Sequence, residues 1–214
     1  MRSIVCPAKS GVLAPRQMIW LPGAYHAARD FLRAGFAQAV LVRNLPLDLI
    51  FIDLELAHLA DRSPLRQLHA EVVAPARENG ISVWLGGVSL GGMMALEFAA
   101  TYTDEIDRLC LLAPYLGNRM LTAEIAAAPG IAAWEPGELA QADDERRIWR
   151  YIKTHGAVSR PMLYLGFGKD DRFAPAHTLL ADALPADSVD LIEGGHDWRT
   201  WTTLWENFLD SRFT

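Results

Sequence analysis

The chain has 214 residues, of which 51% are hydrophobic and 21% charged, so we expect one globular domain over residues 1–214 with a sizeable core. Its net charge is −6 and it lacks any run of lysine or arginine, which argues against nucleic acid or an anionic membrane surface as a partner. The absence of a long apolar stretch and the presence of only two cysteines predict a cytoplasmic protein without a transmembrane segment or a disulfide framework.

Strand-like and helix-like stretches alternate along the whole chain. In chain order, the predicted elements are strand 18–21, helix 27–37, strand 49–54, helix 63–78, strand 81–85, helix 93–100, strand 106–112, helical region 118–158, strand 161–168, helix 175–184, strand 188–192 and helix 197–210. This alternation predicts an α/β fold: a parallel sheet of about six strands covered by helices on both faces. In such sheets the functional site lies beyond the carboxyl ends of the strands.

A glycine-rich turn joins the predicted strand 81–85 to the helix that follows. It contains Gly87, Ser89 and Gly91 in the pattern G-x-S-x-G, which is typical of a nucleophile elbow. Glycine is needed on both flanks because the chain turns sharply there and a side chain would crowd the backbone of the serine. A glycine turn of this kind also occurs in other α/β proteins, so the interpretation depends on residues at the other strand ends.

A serine nucleophile needs a general base, and the base needs a carboxylate to orient it. His196 follows two glycines at the end of the last predicted strand, which makes it the candidate base. Asp170 and Asp171 follow the strand 161–168, and either is a candidate for the carboxylate. Spacing within this loop does not choose between the two, and one of them could simply cap the next helix.

An acyl-transfer site also needs N–H donors for the oxyanion. The backbone N–H of Leu90, directly after the serine at the start of a helix, is one candidate. The second is expected from the loop after the first strand, where Gly23 allows close approach of the backbone. Ala24 is the preferred donor in this loop, and Tyr25 is the alternative.

Four segments together resemble the α/β-hydrolase superfamily, in particular its small single-domain bacterial esterase-like members. They are Leu21-Pro22-Gly23, Gly87-Val88-Ser89-Leu90-Gly91-Gly92, Gly168-Lys169-Asp170-Asp171-Arg172-Phe173-Ala174-Pro175 and Gly195-His196-Asp197-Trp198. The chain order Ser, Asp, His is that of the family. In the family the acid stands three residues after the glycine and four before the proline, so the resemblance favours Asp171. Two departures are a short lead-in instead of the usual first two strands, and Pro22 where histidine is frequent.

The resemblance implies a serine hydrolase that cleaves a small-molecule carboxylic ester through a triad of Ser89, Asp171 and His196. It implies no cofactor, and the spacing of the histidines indicates no metal site. A thioesterase with the same triad and a non-catalytic binding protein on the same fold are the alternatives.

Substrate contacts and structural residues are harder to separate in the sequence. The region 118–158 falls where the α/β-hydrolase fold carries its lid, so Tyr115 and Trp134 are predicted to line the pocket together with Tyr25. Trp198, Trp201, Trp205 and Phe208 recur at helical spacing and are predicted to pack in the core. The charged run at positions 143–147 is expected to be a solvated helix face.

Overall fold

A seven-stranded sheet is the framework of this structure, a computed structural model that describes residues 1–54, 62–128, 130–137, 143–156 and 161–213. The strands are β1 (Ser3–Cys6), β2 (Arg16–Leu21), β3 (Leu47–Ile52), β4 (Ser82–Val88), β5 (Arg108–Leu112), β6 (Met162–Gly168) and β7 (Val189–Ile192). Their order across the sheet is β1-β3-β2-β4-β5-β6-β7. Every neighbouring pair is parallel except β1 and β3.

The first strand is a feature that the sequence analysis missed. The lead-in before residue 17 contains β1, which pairs antiparallel with β3 from Ser3 opposite Ile52 to Cys6 opposite Leu49. The sheet therefore has one strand more than the six expected. This strand lies at the edge and alternates between exposed and half-buried residues, so it lacks the apolar run by which a central strand is recognised.

Helices connect the strands and pack against the sheet. They are α1 (Ala28–Arg33), α2 (Phe36–Val42), α3 (Ser63–Leu68), α4 (Ala74–Glu78), α5 (Leu90–Thr101), α6 (Arg119–Ala127), α7 (Asp144–His155), α8 (Ala174–Ala181) and α9 (Trp198–Arg212). A 3₁₀ turn at Ala186–Ser188 precedes β7. Within the described part of the chain, no helix is long and apolar enough to cross a membrane.

Two helices differ from their predicted forms for identifiable backbone reasons. The predicted helix 27–37 breaks at Gly35, whose φ of 88° lies in the left-handed region, and the chain restarts as α2. Helix α3 begins at Ser63, and Arg62 is its N-cap residue. A wide π-helical turn over His69–Val73 joins α3 to α4 and accommodates Pro75, which cannot donate a backbone hydrogen bond.

Aromatic side chains fill the core between α9, α1, α2 and the sheet. Trp20 on β2 is fully buried, and its ring lies 5.0 Å from Phe36 and 5.1 Å from Trp205 in edge-to-face contacts. Trp201, Trp205 and Phe208 are at most 2% exposed, as their helical spacing predicted. Each such ring removes a large apolar area from water, and edge-to-face pairs add about 0.5–1.5 kcal/mol beyond that burial.

The helical region 118–158 is held to the rest of the fold by a cluster of charges. Positions 129, 138–142 and 157–158 of this region lie outside the described residues. On α5, the Glu97 carboxylate is nearly buried, and its Oε1 lies 2.8 Å from Arg62 Nε. Arg62 also pairs with Asp144, which in turn bonds to Arg147 on α7. The charged run was expected to be a solvated face; its Asp144 and Arg147 instead fix α7 against α5.

Parallel pairing brings five strand ends to one edge of the sheet. The register aligns Leu21 of β2 with Gly87 of β4, and Leu112 of β5 with Gly166 of β6. The loops that follow β2, β4, β5, β6 and β7 therefore start side by side. All of the predicted functional residues except Trp134 lie on these loops or on the first residue of α5.

Candidate active site

Ser89 occupies a strained turn between β4 and α5. Its φ of 52° and ψ of −117° are outside the regions that side-chain-bearing residues normally adopt. Such a conformation costs of order 1–3 kcal/mol and persists only where the surroundings enforce it. One enforcing contact is at Gly87, where an added Cβ would overlap the carbonyl oxygen of Gly91. The turn thus presents the Ser89 hydroxyl beyond the end of the sheet.

Three side chains from separate loops form a continuous hydrogen-bonded row. His196 Nε2 lies 2.9 Å from Ser89 Oγ, and His196 Nδ1 lies 2.7 Å from Asp171 Oδ2. The other Asp171 oxygen accepts a hydrogen bond of 2.8 Å from the N–H of Phe173. The loops that follow β4, β6 and β7 therefore bring together the three residues predicted to form the triad.

The charge on Asp171 determines which atom donates in each hydrogen bond between Ser89, His196 and Asp171. Burial of the Asp171 carboxyl opposes its ionisation, but the hydrogen bonds from His196 and from the Phe173 N–H outweigh this and lower the pKa of Asp171 below its ordinary value. An ionised carboxylate can only accept, so the proton of the neutral imidazole is on Nδ1. Nε2 is then the acceptor for the Ser89 hydroxyl, as a general base requires.

Asp170, the other candidate acid, is placed differently. Its side chain is exposed, whereas that of Asp171 has no exposed surface. The backbone N–H of Asp170 donates to the carbonyl of Gly194, which helps to hold the acid loop beside the histidine loop. The geometry therefore separates the two aspartates that spacing within the loop left open.

Two aromatic rings hold the imidazole of His196 from different sides. The ring of Phe173 lies 5.2 Å from it and that of Trp201 lies 5.1 Å from it, both in edge-to-face geometry. Trp201 was predicted to pack in the core alone, and Phe173 was not among the predicted site residues. The only signal for Phe173 was its position two residues after Asp171 in the acid loop.

The loop after β2 lies directly against the nucleophile. A Cβ on Gly23 would be 3.2 Å from Ser89 Cβ, so this glycine permits the close approach. Ala24 follows it and is half-buried, whereas Tyr25 is 94% exposed with a φ of 65°. Leu90 is the first residue of α5, where backbone N–H groups have no partner within the helix. Both predicted donor segments therefore border Ser89.

Solved structures with the same architecture span almost the whole chain. Fluorophosphonate-binding serine hydrolase F (FphF) of Staphylococcus aureus matches with a TM-score of 0.70 and 15% identity, over 97% of this chain and 90% of that chain. Est1E from Butyrivibrio proteoclasticus matches with a TM-score of 0.66 and 13% identity, over 99% and 94% of the two chains. The protein has the α/β-hydrolase fold.

A monoacylglycerol lipase from Paleococcus ferrophilus is also similar, with a TM-score of 0.57 and 14% identity over 97% of this chain and 99% of that chain. No protein-family profile matches the sequence, and no curated protein matches it. At these identities the likeness shows the α/β-hydrolase fold, and the chemistry of the site has to be argued from its own residues.

The predicted pocket residues are not all found at the site. The Tyr115 N–H donates to the Ser89 carbonyl at 2.8 Å, and the Tyr115 ring packs 5.8 Å from Phe173. Burial, with Glu145 beside it, raises the pKa of Tyr115 to about 12, so its hydroxyl stays neutral. Trp134 is only 1% exposed and donates its Nε1–H to Glu124, so it packs within the 118–158 region and offers no surface to a substrate.

A groove of about 560 Å³ starts at the Tyr115–Phe173 pair and runs between α6 and α8. Much of its lining is apolar, including Ala123, Ala176 and Leu179. Its volume lies in the range of small-molecule sites, about 300–1,000 Å³. Because the backbone N–H of Tyr115 bonds to Ser89 and the ring of Phe173 contacts His196, this groove is the candidate substrate site.

His177 on α8 is a buried residue that the sequence analysis did not select. It is fully buried, and its Nε2 donates to the carbonyl of Pro114 at 2.9 Å. Burial lowers the pKa of His177 to about 4, against a smaller opposite effect from Asp171. The bond ties α8, which follows the acid loop, to the residue before Tyr115.

The His177 side chain is expected to make the protein less stable as the pH falls. An unfolded histidine binds a proton near pH 6.5, but the folded one does so only near pH 4, so stability is lost between these values and is constant below them. The loss amounts to about 3 kcal/mol at 1.36 kcal/mol per pKa unit. Urea unfolding of the wild type and of His177→Gln, which retains a donor for Pro114, measures it at several pH values.

The difference between the two proteins isolates His177, because the other titrating groups are common to both. We expect the free energy of unfolding of the variant to approach that of the wild type as the pH is lowered from about 7 to about 4. If the free energies of unfolding of the two proteins change with pH in parallel over this range, His177 contributes nothing to the loss of stability in acid.

Proposed function

We propose that this α/β-hydrolase is a serine hydrolase that cleaves carboxylic esters of small molecules through an acyl-enzyme intermediate. The observation that carries the proposal is the row Ser89–His196–Asp171, with contacts of 2.9 and 2.7 Å and a carboxylate whose pKa is lowered. We also propose that the protein is cytoplasmic and that residues 1–214 form one domain.

The first half of the reaction acylates the serine. Ser89 Oγ attacks the ester carbonyl while His196 Nε2 takes its proton, and Asp171 stabilises the imidazolium that forms. The backbone N–H groups of Leu90 and Ala24 donate to the oxyanion of the tetrahedral intermediate. His196 then gives its proton to the departing alcohol, which leaves Ser89 as an acyl ester.

The second half uses the same groups on water. His196 Nε2 takes a proton from a water molecule, whose oxygen attacks the acyl carbonyl, and the same N–H groups hold the second oxyanion. Return of the proton to Ser89 Oγ releases the carboxylic acid and restores the enzyme. Every group in this cycle belongs to the chain, so the proposed reaction needs no cofactor.

Pre-steady-state kinetics on an activated ester test the covalent step. With 4-nitrophenyl acetate we expect a burst of nitrophenol that approaches one equivalent per enzyme wherever deacylation is slower than acylation, and acetyl-Ser89 in the mass spectrum of the quenched enzyme. A binding protein on the same fold would release no nitrophenol above the background rate and would show no mass increase. Nitrophenol release that does not exceed the background rate in the folded protein contradicts the proposal.

Esters and thioesters with the same acyl group distinguish the proposed activity from that of a thioesterase. We expect kcat/KM for a hexanoyl ester to exceed that for hexanoyl-CoA, because the sequence contains no run of lysine or arginine that would suit the several phosphates of coenzyme A. If kcat/KM is instead higher for hexanoyl-CoA, the proposed triad stands and the substrates are thioesters rather than esters.

A further inference from the structure

The groove beside the triad contains charges of one sign only. Its charged lining residues, within the described ranges, are Arg119 at the start of α6 and Arg172 in the acid loop. This is notable in a chain with a net charge of −6. The groove therefore combines an apolar lining with two guanidinium groups.

Among the described residues, no carboxylate forms an ion pair with either guanidinium group. Arg172 lies with its guanidinium carbon 4.8 Å from the centre of the Phe173 ring, a cation–π contact that leaves its N–H donors available. Arg119 is exposed and forms no ion pair with the described residues, whereas Arg146 and Arg147 in the same region both pair with acids.

Among the described residues, the acidic side chains nearest the groove do not line it. The Glu145 carboxylate accepts from the Tyr115 hydroxyl and from both nitrogen donors of Asn118, and it forms no ion pair with either arginine. Asp171 is buried on His196, and Asp170 is exposed but does not line the groove. An anion in the groove would therefore meet the two arginines.

The position of the two arginines relative to the reacting serine determines what they can bind. Arg172 follows Asp171 directly, and its partner ring Phe173 contacts both His196 and Tyr115. A substrate whose carbonyl lies at Ser89 can thus extend over these rings into the groove. Its far end would meet guanidinium groups, which pair with carboxylates and phosphates.

We propose that the groove selects esters in which one half of the molecule is an apolar arm that ends in an anionic group such as a carboxylate. The inference rests on the proposed esterase function and adds its substrate class. The apolar part of the arm packs on the groove lining, and the anion pairs with Arg119 and Arg172. The arm is either the acyl half or the alcohol half of the ester.

Two pairs of matched esters test the preference and locate the arm. The acyl pair is 4-nitrophenyl hexanoate and the mono-4-nitrophenyl ester of adipic acid; the alcohol pair is hexyl acetate and 6-acetoxyhexanoate. In at least one pair we expect kcat/KM of the anionic ester to exceed that of the neutral one by about tenfold, a typical effect of charge-assisted hydrogen bonds that are partly exposed. The pair that shows the preference identifies the half that enters the groove.

The arginine variants connect this preference to the groove. Arg119→Gln and Arg172→Gln are each expected to lower the anionic-to-neutral ratio about threefold, and the double variant is expected to bring it close to one. The wild-type ratio is also expected to fall as salt is raised, because salt screens charges near the surface. Arg150→Gln is the control, since it removes the same charge from an exposed site on α7 that does not line the groove.

Failure of this inference is distinguishable from failure of the proposed function. If the neutral esters are hydrolysed and a fluorophosphonate labels Ser89 while both wild-type ratios are close to one, the charge preference is wrong and the esterase function stands. A preference that persists in the double variant, or that falls equally in Arg150→Gln, also overturns the role of the groove. Absence of both turnover and labelling in the wild type contradicts the esterase itself.

Discussion

Replacement of Ser89 by alanine is expected to abolish labelling by a fluorophosphonate probe and to lower ester hydrolysis by about six orders of magnitude, the loss known when a triad serine is removed. The reason is that Ser89 Oγ is the atom 2.9 Å from His196 Nε2 and is therefore the hydroxyl with a base in reach. Gel fluorescence measures the labelling, and the rate on 4-nitrophenyl acetate measures the hydrolysis.

The control for this variant is Ser10→Ala, which removes a hydroxyl from an exposed residue far from the triad in the sequence. It is expected to be labelled as fast as the wild type. Circular dichroism and the melting temperature establish that Ser89→Ala is folded, as expected for the loss of one half-buried hydroxyl group. Undiminished labelling of a folded Ser89→Ala protein would remove Ser89 from the mechanism.

Replacement of Asp171 by asparagine is expected to reduce kcat by about 10⁴-fold while the fold is retained, as for the corresponding change in a serine protease. The carboxylate accepts the Nδ1 proton of His196 at 2.7 Å, whereas an amide can turn its NH₂ group toward Nδ1. The imidazole then keeps its proton on Nε2, and Ser89 loses its base. Steady-state kinetics on one ester and the melting temperature provide the two measurements.

Asp170→Asn is the matched control, because it makes the same chemical change one residue earlier. That side chain is exposed, and the hydrogen bond from Asp170 to Gly194 is made by its backbone, so kcat is expected to change less than about threefold. The opposite result, with Asp170→Asn inactive and Asp171→Asn active, would assign the acid to Asp170.

The order of the elements was largely predictable because it depends on local patterns. Short apolar runs bounded by glycine and proline indicated β2 to β7, and alternation with helices indicated a parallel sheet. The strand β1 has no such pattern, since its pairing with β3 joins residues that are 43 or more positions apart. An edge strand of four residues takes its stability from that partner, and the partner is not visible in its own sequence.

Candidate site residues were predictable where a strand end coincides with a particular side chain. Ser89, His196 and the pair Asp170–Asp171 each follow a predicted strand, and parallel strands bring such positions to one edge. The choice between the two aspartates needed either the family resemblance or the geometry. Adjacent residues in a loop differ in orientation, and spacing carries no information about which one is buried.

Contacts that depend on packing between distant segments were not predictable. Trp134 was expected at the pocket but packs on Glu124, and Trp201 was expected only in the core but also contacts His196. The groove that carries Arg119 and Arg172 forms between α6 and α8, which are about fifty residues apart in the chain. No pattern in either segment indicates which charges lie together.

The sequence by itself thus determined the class of fold and selected the candidate serine and histidine, because strand periodicity, glycine turns and the residue types that a nucleophile and a base require are all local properties. Only the tertiary structure shows that Asp171, which the resemblance favoured, is buried against His196, that His177 is held neutral, and that two arginines without an ion pair among the described residues face one apolar groove. These features depend on burial and distance between loops, which arise only when the strands are aligned and the helices packed.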